Sequence, residues 1–448
     1  MENDSTVKSM TEGRPLPLIL KFMLPLLLSN VVQQTYNLVD AMIVGRMLGA
    51  SALASVGASS SVLFLVLGFC GGSCAGFSIP VAQNFGAKDY PRMRSFIYHG
   101  ILLTLVLAAV ITLLTSLLCP GILHILRTPE DIYPDAYRYL LIIFLGIPFT
   151  FLYNYLSSIL RAVGNSRMPF LFLTVSAVLN IFLDFFCVAV LDLGCAGAAI
   201  ATTASQALSG FFCLIYICKA VLIIQPKKED RIWKKKTAFH LLGMGIPMGI
   251  QFSITAIGSM VMQSANNSLG SICVSGFTAG TKIKLFTICP FDALATALAT
   301  YVGQNYGARK FDRVKKGILQ GMAVGVAYGI AAGIALILFG RNLASLFLAS
   351  DSVEVLDAAA QFLRCLGYFY WMLALVNICR ASVQALGYPG RAVFAGVIEM
   401  IARTSFSMIL VPIYGYAAIC YTDQSAWVTA GTYSTIVCLW ALRKMKNR

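Results

Sequence analysis

The stretch Val178-Leu179-Asn180-Ile181-Phe182-Leu183-Asp184-Phe185-Phe186 places a carboxylate in the middle of an apolar segment. This segment runs from about residue 169 to residue 191, long enough to cross a bilayer as a helix at about 1.5 Å per residue. An unpaired charge at that depth costs at least ~2.5 kcal/mol. Ser176, Asn180 and Asp184 follow one another at four-residue spacing, so they share one helical face. The sequence therefore predicts a polar stripe that faces water, a cation or a buried partner instead of lipid.

The composition indicates a membrane protein. Hydrophobic residues make up 58% of the 448 residues, charged residues 12%, and the mean hydropathy is +0.77. We predict an all-α polytopic protein, because the ten-residue alternating segments of a transmembrane β-barrel are absent from the sequence. Twelve spans are expected, at 16–45, 52–80, 95–119, 137–160, 168–190, 197–219, 241–265, 273–302, 317–340, 358–380, 392–414 and 424–442.

The net charge of +15 reflects topology and not nucleic-acid binding. Most of the 34 Lys and Arg residues fall in joints on one side of the predicted membrane, which the positive-inside rule places in the cytoplasm. Both termini, 1–15 and 443–448, are then cytoplasmic, and the protein is expected in the plasma membrane. The joint 225–240 carries six Lys or Arg within residues 225–236, and we interpret it as a solvated linker.

The chain contains an internal repeat. The joint 81–92 reads VAQNFGAKDYPR, and the joint 302–313, about half the chain later, reads VGQNYGARKFDR. Pro25 and Pro247 also match, as do Ala-Val-Gly at 162–164 and Ala-Leu-Gly at 385–387. The sequence therefore predicts two pseudo-symmetric six-helix lobes, at 16–224 and 241–442. Because six is even, the lobes insert with the same orientation.

Two further helices carry polar residues toward the depth of Asp184. In the first span, Gln33, Tyr36 and Asp40 recur at three- and four-residue spacing. In the sixth span, Thr202 and Gln206 lie one turn apart. Two carboxylates held together in a low dielectric cannot both stay ionised at low cost. Such a pair is either a proton carrier or, with amide and hydroxyl oxygens, a cage for a hard cation; the alternative is that each acid only bridges helices.

The second half departs from the first. Ser407 stands at the position of Asp184 and Met262 near that of Asp40, so we do not expect a duplicated ion site. Its own charges are Lys282, Lys284, Asp292, Arg364, Glu399 and Arg403. Glu399 and Arg403 are four residues apart and predict a local ion pair, and the two lysines could extend to the interface. Asp292 has no evident partner and is our candidate for contact with a cationic substrate or a second proton.

A glycine repeats at every fourth position of the ninth span, at 317, 321, 325, 329 and 333. A row of glycines on one face lets another helix approach closely. We interpret it as a packing edge and not as a binding site.

The doubled Gln-Asn-aromatic-Gly-Ala joint, the segment LRAVGNSRMP at 160–169 and the helix from Pro25 to Asp40 resemble the multidrug and toxic compound extrusion (MATE) family. The resemblance covers essentially the whole chain. It implies a two-lobed antiporter that exchanges drugs or toxic metabolites for Na⁺ or H⁺. It also implies an ion-coupling site, with Na⁺ as the candidate metal, at Asp40, Asn180, Asp184 and Thr202.

The expected function is therefore secondary active efflux of organic, cationic or amphiphilic compounds by alternating access. Asp292, Tyr36, Gln33 and Gln206 are the candidate substrate contacts. A flippase for a lipid-linked saccharide, or an exporter of an anionic metabolite, is the alternative, which Lys282, Lys284 and Arg364 keep open. No phosphate-binding loop or nucleophile triad occurs in the sequence, so we expect neither an enzyme nor a cofactor. The partners expected are membrane lipid and the small-molecule substrate, and the chain is expected to act as a monomer.

The predicted topology can be tested with accessibility tags. Tags near Gln83, Gln304, Lys228 and the C-terminus should react with a membrane-impermeant reagent only from the cytoplasmic side, because an even number of spans separates each pair. A tag in the loop near Asp131, on the opposite side of the predicted membrane, is the matched control. External labelling of any of the first four sites would contradict the two-lobe topology.

Overall fold

The computed structural model describes residues 6–126, 128–347 and 353–446, and these form thirteen α-helices. Their bounds are α1 Pro15–Met47, α2 Gly49–Gly86, α3 Tyr90–Ile125, α4 Tyr133–Leu145, α5 Ile147–Ala162, α6 Arg167–Phe185, α7 Gly194–Ala220, α8 Lys235–Asn267, α9 Ser271–Gly307, α10 Phe311–Ala344, α11 Val353–Ala385, α12 Pro389–Tyr414 and α13 Tyr416–Lys446. Ten are long and apolar enough to cross a membrane, and α4 with α5 would make an eleventh span. With that pair counted once and the more polar α13 included, the described residues form the twelve predicted membrane helices.

The predicted span 137–160 is not one straight helix. It consists of α4 and α5, which are bent by 44° at a break around Gly146. Two residues explain the break. Pro148 lacks the N–H that would continue the helical ladder, and a Cβ at Gly146 would lie 2.5 Å from the Thr203 methyl group of α7. The missing side chain at Gly146 lets α7 pack close to this bent helix.

The chain forms two compact units. The first unit consists of Met1–Ser9 and Leu28–Gly249, and the second of Met10–Leu27 and Ile250–Arg448. Helices α1 and α8 therefore pass from one unit to the other, after Leu27 and Gly249. Each crossing lies just beyond a proline inside the helix, Pro25 in α1 and Pro247 in α8.

In the first unit, α2 packs on α5, and α7 packs on α4, α5 and α6. The core of this unit contains buried aromatic side chains, among them Phe77, Phe144 and Phe151. Residues of the N-terminal segment are bound here as well. The Lys8 amide donates a hydrogen bond to the Val163 carbonyl at 3.1 Å, beside Gly164, whose φ of +86° only glycine adopts at low cost.

The linker after α7 is anchored and not merely solvated. Asp230 accepts a 2.6 Å hydrogen bond from Arg94 Nε, and the Lys234 amide donates to His99 Nε2 at 2.8 Å. Trp233 stacks on the same histidine with ring centroids 5.0 Å apart. Burial alone would raise the pKa of Asp230, but the hydrogen bonds from Arg94 and the Lys227 amide outweigh it and lower that pKa.

In the second unit, α11 is the central helix and packs against α9, α10 and α13. The residues of the repeated joint have a structural task here. Gln304 Oε1 accepts a hydrogen bond from the Met10 amide at 2.8 Å, and Asn305 Nδ2 donates to the Met10 carbonyl at 3.1 Å. Arg313 donates to the carbonyls of Met10 and Gly13. The joint after α9 therefore holds the segment that leads into α1.

The two repeated joints have the same backbone. Lys88 and Arg309, at equivalent positions of the two joints, are non-glycine residues with positive φ angles of 60° and 57°. Gly164 and Gly387, which end the matching tripeptides before α6 and α12, have φ angles of 86° and 90°. Left-handed residues are uncommon, so their recurrence at these positions fixes the register between the halves.

The glycine row on α10 is a packing edge, as predicted. All five glycines are buried. A Cβ at Gly317 would lie 2.2 Å from Tyr301 of α9, and one at Gly329 would lie 2.6 Å from the Trp371 Cα of α11. At Gly333 the obstruction is the Gly367 carbonyl oxygen at 2.4 Å, so the backbones of α10 and α11 are in direct contact there.

Replacement of Gly333 by Ala should destabilise the protein by ~1–3 kcal/mol, because the obstruction is backbone that cannot move aside. Gly243→Ala in α8 is the control, since nothing lies within 4 Å of its added Cβ. That change should be neutral or slightly stabilising, as Ala is preferred to Gly within helices by about 1 kcal/mol. Thermal unfolding of both variants in detergent measures the difference, and equal midpoints would contradict close α10–α11 packing.

Candidate ion-binding site

Helix α6 supplies the polar stripe that the sequence predicts. Ser176, Asn180 and Asp184 are buried, at 2%, 1% and 0% exposure. On the other side of the same helix, Val178 and Phe182 are exposed and suit a lipid-facing surface. The α-helix ends at Phe185, and a π-helical turn, Phe186–Val190, follows directly. Such widened turns often occur at functional sites, and this one begins two residues after Asp184.

Helix α7 packs along α6 and presents a face of small polar side chains. Thr202 and Gln206 are partly buried, whereas Ser205 and Ser209 are buried. The helix can approach closely at its start, where a Cβ at Gly197 would lie 3.0 Å from the Cys187 carbonyl oxygen of the π-helical turn. Small residues on α7 therefore leave room for polar groups between the two helices.

Helix α1 brings the second carboxylate. Asp40 is partly buried, and its carboxyl group lies near that of Asp184. Tyr36, one turn earlier, places its hydroxyl among Gln33, Gln206 and the two acids. Asn37 of the same helix is exposed. The structure thus brings together all four predicted ion-site residues and three of the four candidate substrate residues.

A small cavity lies between these helices. It is lined by side chains of α1, α6 and α7, including Tyr36, Asn180, Thr202 and Gln206. The cavity volume is about 10 Å³, which is room for about one water molecule or ion.

Many polar atoms that line this cavity, or that lie one helical turn beyond its lining residues on Asp40 and Asp184, have no hydrogen-bond partner within the described part of the chain. They are Asp40 Oδ1, both carboxylate oxygens of Asp184, both amide atoms of Asn180, Ser176 Oγ, Ser205 Oγ and Gln206 Oε1. Buried polar groups are normally hydrogen-bonded, and leaving one unpaired costs ~1–3 kcal/mol. Unpaired carboxylate, amide and hydroxyl oxygens are the ligands that hard cations prefer. The same acids could instead share a proton.

The donor set fits Na⁺ or H⁺ better than a transition metal. Among the described residues, no group of three or more His, Cys, Asp or Glu side chains could hold a metal ion. The site has two carboxylates and otherwise neutral oxygens, and the described residues that line the cavity include neither a thiol nor an imidazole.

Three residues at this site were not predicted. Ser205 and Ser209 line the cavity at three and seven residues after Thr202, so helical spacing could have identified them. Tyr139 of α4 lies within electrostatic range of Asp40, Asp184 and Tyr36. Nothing in the sequence around Tyr139 indicates this proximity, because it depends on how α4 packs.

The charged residues of the second unit form a chain of ion pairs. Glu399 and Arg403 interact at 2.9 Å, as predicted. Arg403 also binds Asp423 of α13 at 2.9 Å, and Lys284 binds the same carboxylate at 2.7 Å. The expectation that Lys284 extends to the interface is therefore wrong, because Asp423 holds it inside the unit. Sequence reasoning misses Asp423, which lies at the edge of a predicted span.

Arg380 extends this chain of charges. It lies 3.4 Å from Glu399 and donates to Asn377 Oδ1 at 2.7 Å. Asp292 is exposed and within electrostatic range of Arg380, but it is beyond ion-pair distance. Lys284, Arg380 and Arg403 are thus matched in number by Asp292, Glu399 and Asp423.

The fold is that of a multi-pass helical membrane protein made of two related units, with an acidic polar site inside the first. Comparison with known proteins identifies the family. The MatE family model matches the chain twice, at residues 25–186 and 247–409. The chain belongs to the multidrug and toxic compound extrusion family.

Individual relatives support this assignment. The chain is 34% identical over 377 residues to the probable multidrug resistance protein YpnP of Bacillus subtilis, covering 84% of each chain. It is 25% identical over 382 residues to the FAD transporter of Shewanella oneidensis, covering 83% of this chain and 82% of that one. Its fold matches a multidrug resistance MATE family transporter in an outward-facing conformation, with a TM-score of 0.91, 21% identity and 98% coverage of both chains.

Proposed function

We propose that this protein is a secondary active antiporter that exports organic, cationic or amphiphilic compounds in exchange for Na⁺ or H⁺. The observation that carries the proposal is the cluster of unpaired polar atoms around Asp40, Asn180 and Asp184 in the first unit. A buried site of this kind is costly unless an ion or proton occupies it for part of the cycle. Similarity to multidrug resistance proteins of the same family supports export as the direction.

Each residue of the site has a chemical role in this proposal. Asp184 and Asp40 supply the negative charge, and together they bind either one proton or one Na⁺. Asn180 and Thr202 supply neutral oxygens that complete a shell around Na⁺. Tyr36, Gln33 and Gln206 stand beside the acids, so a substrate that contacts them would respond to occupancy of the ion site.

Coupling requires that ion and substrate favour different states. The ion must bind one access state better than the other, or must change the affinity for substrate, since otherwise no gradient can drive export. In our proposal, occupancy of the site by the ion disfavours the substrate-bound, outward-facing state. Both termini lie in the cytoplasm, and one chain in the plasma membrane completes the cycle.

The Asp184→Asn variant should fold and insert but lose coupled efflux. The amide has nearly the size of the carboxylate, but it cannot titrate or neutralise a cation. Efflux of a cationic dye from proteoliposomes should fall to the level of empty vesicles, under an imposed Na⁺ gradient or pH gradient, whichever drives the wild type. In a Na⁺-coupled protein, Asn180→Ala and Thr202→Ala should raise the Na⁺ concentration that half-maximal transport requires.

Asp131→Asn is the matched control, because it makes the same chemical change at an exposed loop position. Expression level and thermal stability are checked for every variant. Wild-type efflux by a stable Asp184→Asn protein would refute the ion site, and the four residues would then serve to bridge helices.

An organic anion is the second candidate substrate. Two observations favour it. One is the similarity to a FAD transporter. The other is the positive charge of Arg380, which is partly buried beside the exposed Asp292 and would attract an anion. Transport of FAD and of the cationic dye can be compared in the same vesicles. Gradient-driven transport of FAD alone would replace the cationic class by the anionic one.

The Asp292→Asn variant should change the substrate range more than the ion dependence, because this acid belongs to the second unit and not to the ion site. A cationic dye should lose more transport than a neutral or anionic compound. Asp312→Asn, an exposed acid at the start of α10, is the control. Equal loss for all substrates, with an altered ion requirement, would instead assign Asp292 to coupling.

A further inference from the structure

The register of the repeat shows which residues of the second unit correspond to the ion site of the first. The joints before α6 and α12 match through Gly164 and Gly387, which share a left-handed backbone. Counting equally far along the chain from these two glycines pairs Asn180 with Arg403 and Asp184 with Ser407. Counting in the same way from the two matching prolines, in α1 and α8, pairs Asp40 with Met262.

The fourth correspondence comes from the start of α7 and α13. Gly194 and Gly415 stand at these starts with φ angles of 57° and 58°. Matching them pairs Thr202 with Asp423. The set Asp40, Asn180, Asp184 and Thr202 therefore becomes Met262, Arg403, Ser407 and Asp423 in the second unit.

The corresponding helices of the second unit, α8, α12 and α13, also pack against one another. A Cβ at Gly258 of α8 would lie 3.1 Å from the Met400 Cα and 3.5 Å from the Arg403 Cδ of α12. Met262 is one turn beyond Gly258 and Ser407 one turn beyond Arg403, and both are buried. Asp423 of α13 reaches Arg403 through its carboxylate. The three helices that build the ion site of the first unit thus have counterparts that converge on Arg403.

The proposed ion site of the first unit and the corresponding residues of the second differ in what supplies the positive charge. Arg403 is 5% exposed, and its Nε and Nη2 bind the carboxylates of Asp423 and Glu399, each at 2.9 Å. In the first unit, no donor from the part of the chain that the structure describes reaches either carboxylate oxygen of Asp184. One unit therefore holds a covalently attached cation where the other leaves oxygen atoms unpaired.

We propose that Arg403 is a tethered substitute for the exchangeable ion, so that the second unit has no ion site and each chain binds one coupling ion at a time. This inference rests on the proposed ion site at Asp184. A guanidinium is always charged and cannot leave, so the acids around it are neutralised in every state of the cycle. The second unit can then take part in substrate binding without competing for Na⁺ or H⁺.

The first experiment counts ions on the purified full-length protein. Bound radiolabelled Na⁺ is counted for the wild type and for Asp184→Asn, and protonated carboxyl groups are counted near neutral pH by their infrared C=O band, since ordinary carboxylates stay ionised there. We expect about one ion for the wild type and none for the variant. A wild type that binds no ion would overturn the proposed function and this inference with it. A wild type that binds two ions, together with an Asp184→Asn variant that keeps one, would overturn this inference alone, whereas one ion in both proteins would also overturn the ion site at Asp184.

The second experiment asks whether Arg403 itself excludes the ion. In the Asp184→Asn background, Ser407→Asp adds the missing carboxylate to α12 but keeps Arg403, so no ion should bind. Adding Arg403→Asn then recreates the Asn180–Asp184 spacing in α12. Lys284 stays bound to Asp423 and neutralises that acid, so the added carboxylate is left without a fixed cation and about one ion should bind again. Equal binding by both variants would overturn the role of Arg403.

Loss of Arg403 could also prevent folding, because it leaves buried acids without their partner. The Arg403→Lys variant covers this case, since it keeps a fixed positive charge on a different side chain. In the Ser407→Asp, Asp184→Asn background it should fold and bind no ion. Binding of an ion by this variant would show that a fixed positive charge does not exclude Na⁺ or H⁺ from the second unit, and would overturn the proposal.

Discussion

The cost of burying an unpaired carboxylate is the constraint on which the molecule depends. In the first unit, Asp184 is fully buried and no hydrogen bond from the described residues reaches its oxygens. In the second unit, Asp423 is 2% exposed at its side chain and is held by both Lys284 and Arg403. The same kind of group is thus paired with fixed cations in one unit and has no hydrogen-bond partner from the described residues in the other. Two related halves have solved one electrostatic problem in two ways.

Helix packing leaves room beside the unpaired polar groups of the first unit. The small residues of α7 and the close approach at Gly197 leave a cavity for about one ion between α6 and α7. The π-helical turn after Phe185 widens the backbone next to Asp184. In the second unit, by contrast, glycines on α10 bring two backbones into contact, and long side chains such as Arg403 fill the interior of the helix bundle. Small side chains thus leave a polar cavity in the first unit, whereas Arg403 occupies the position that corresponds to Asn180 in the second.

Much of this could be predicted from the sequence. The apolar runs indicated the helices, the repeated joints indicated the two halves, and four-residue spacing indicated the stripe on α6. The bend at Gly146, the place of Tyr139 and the bonding of Lys284 to Asp423 could not be predicted. Periodicity reports which residues share a face of one helix, whereas these features depend on which helices meet and at what depth. Asp423 was missed for that reason: as a single acid near a span end, it carries no local pattern.

The asymmetry between the halves also follows from what coupling requires. Suppose that both units held an exchangeable ion and that the second ion had the same affinity for both access states. That second ion would move charge across the membrane without helping the ion gradient to export substrate. A fixed Arg403 removes that ion and still keeps Glu399 and Asp423 neutralised. The second unit carries Met262, Arg403 and Ser407 where the first carries Asp40, Asn180 and Asp184, so it lacks both acids of the proposed site. In the mechanism that we propose, the remaining site at Asp184 alone converts the ion gradient into a preference for one state.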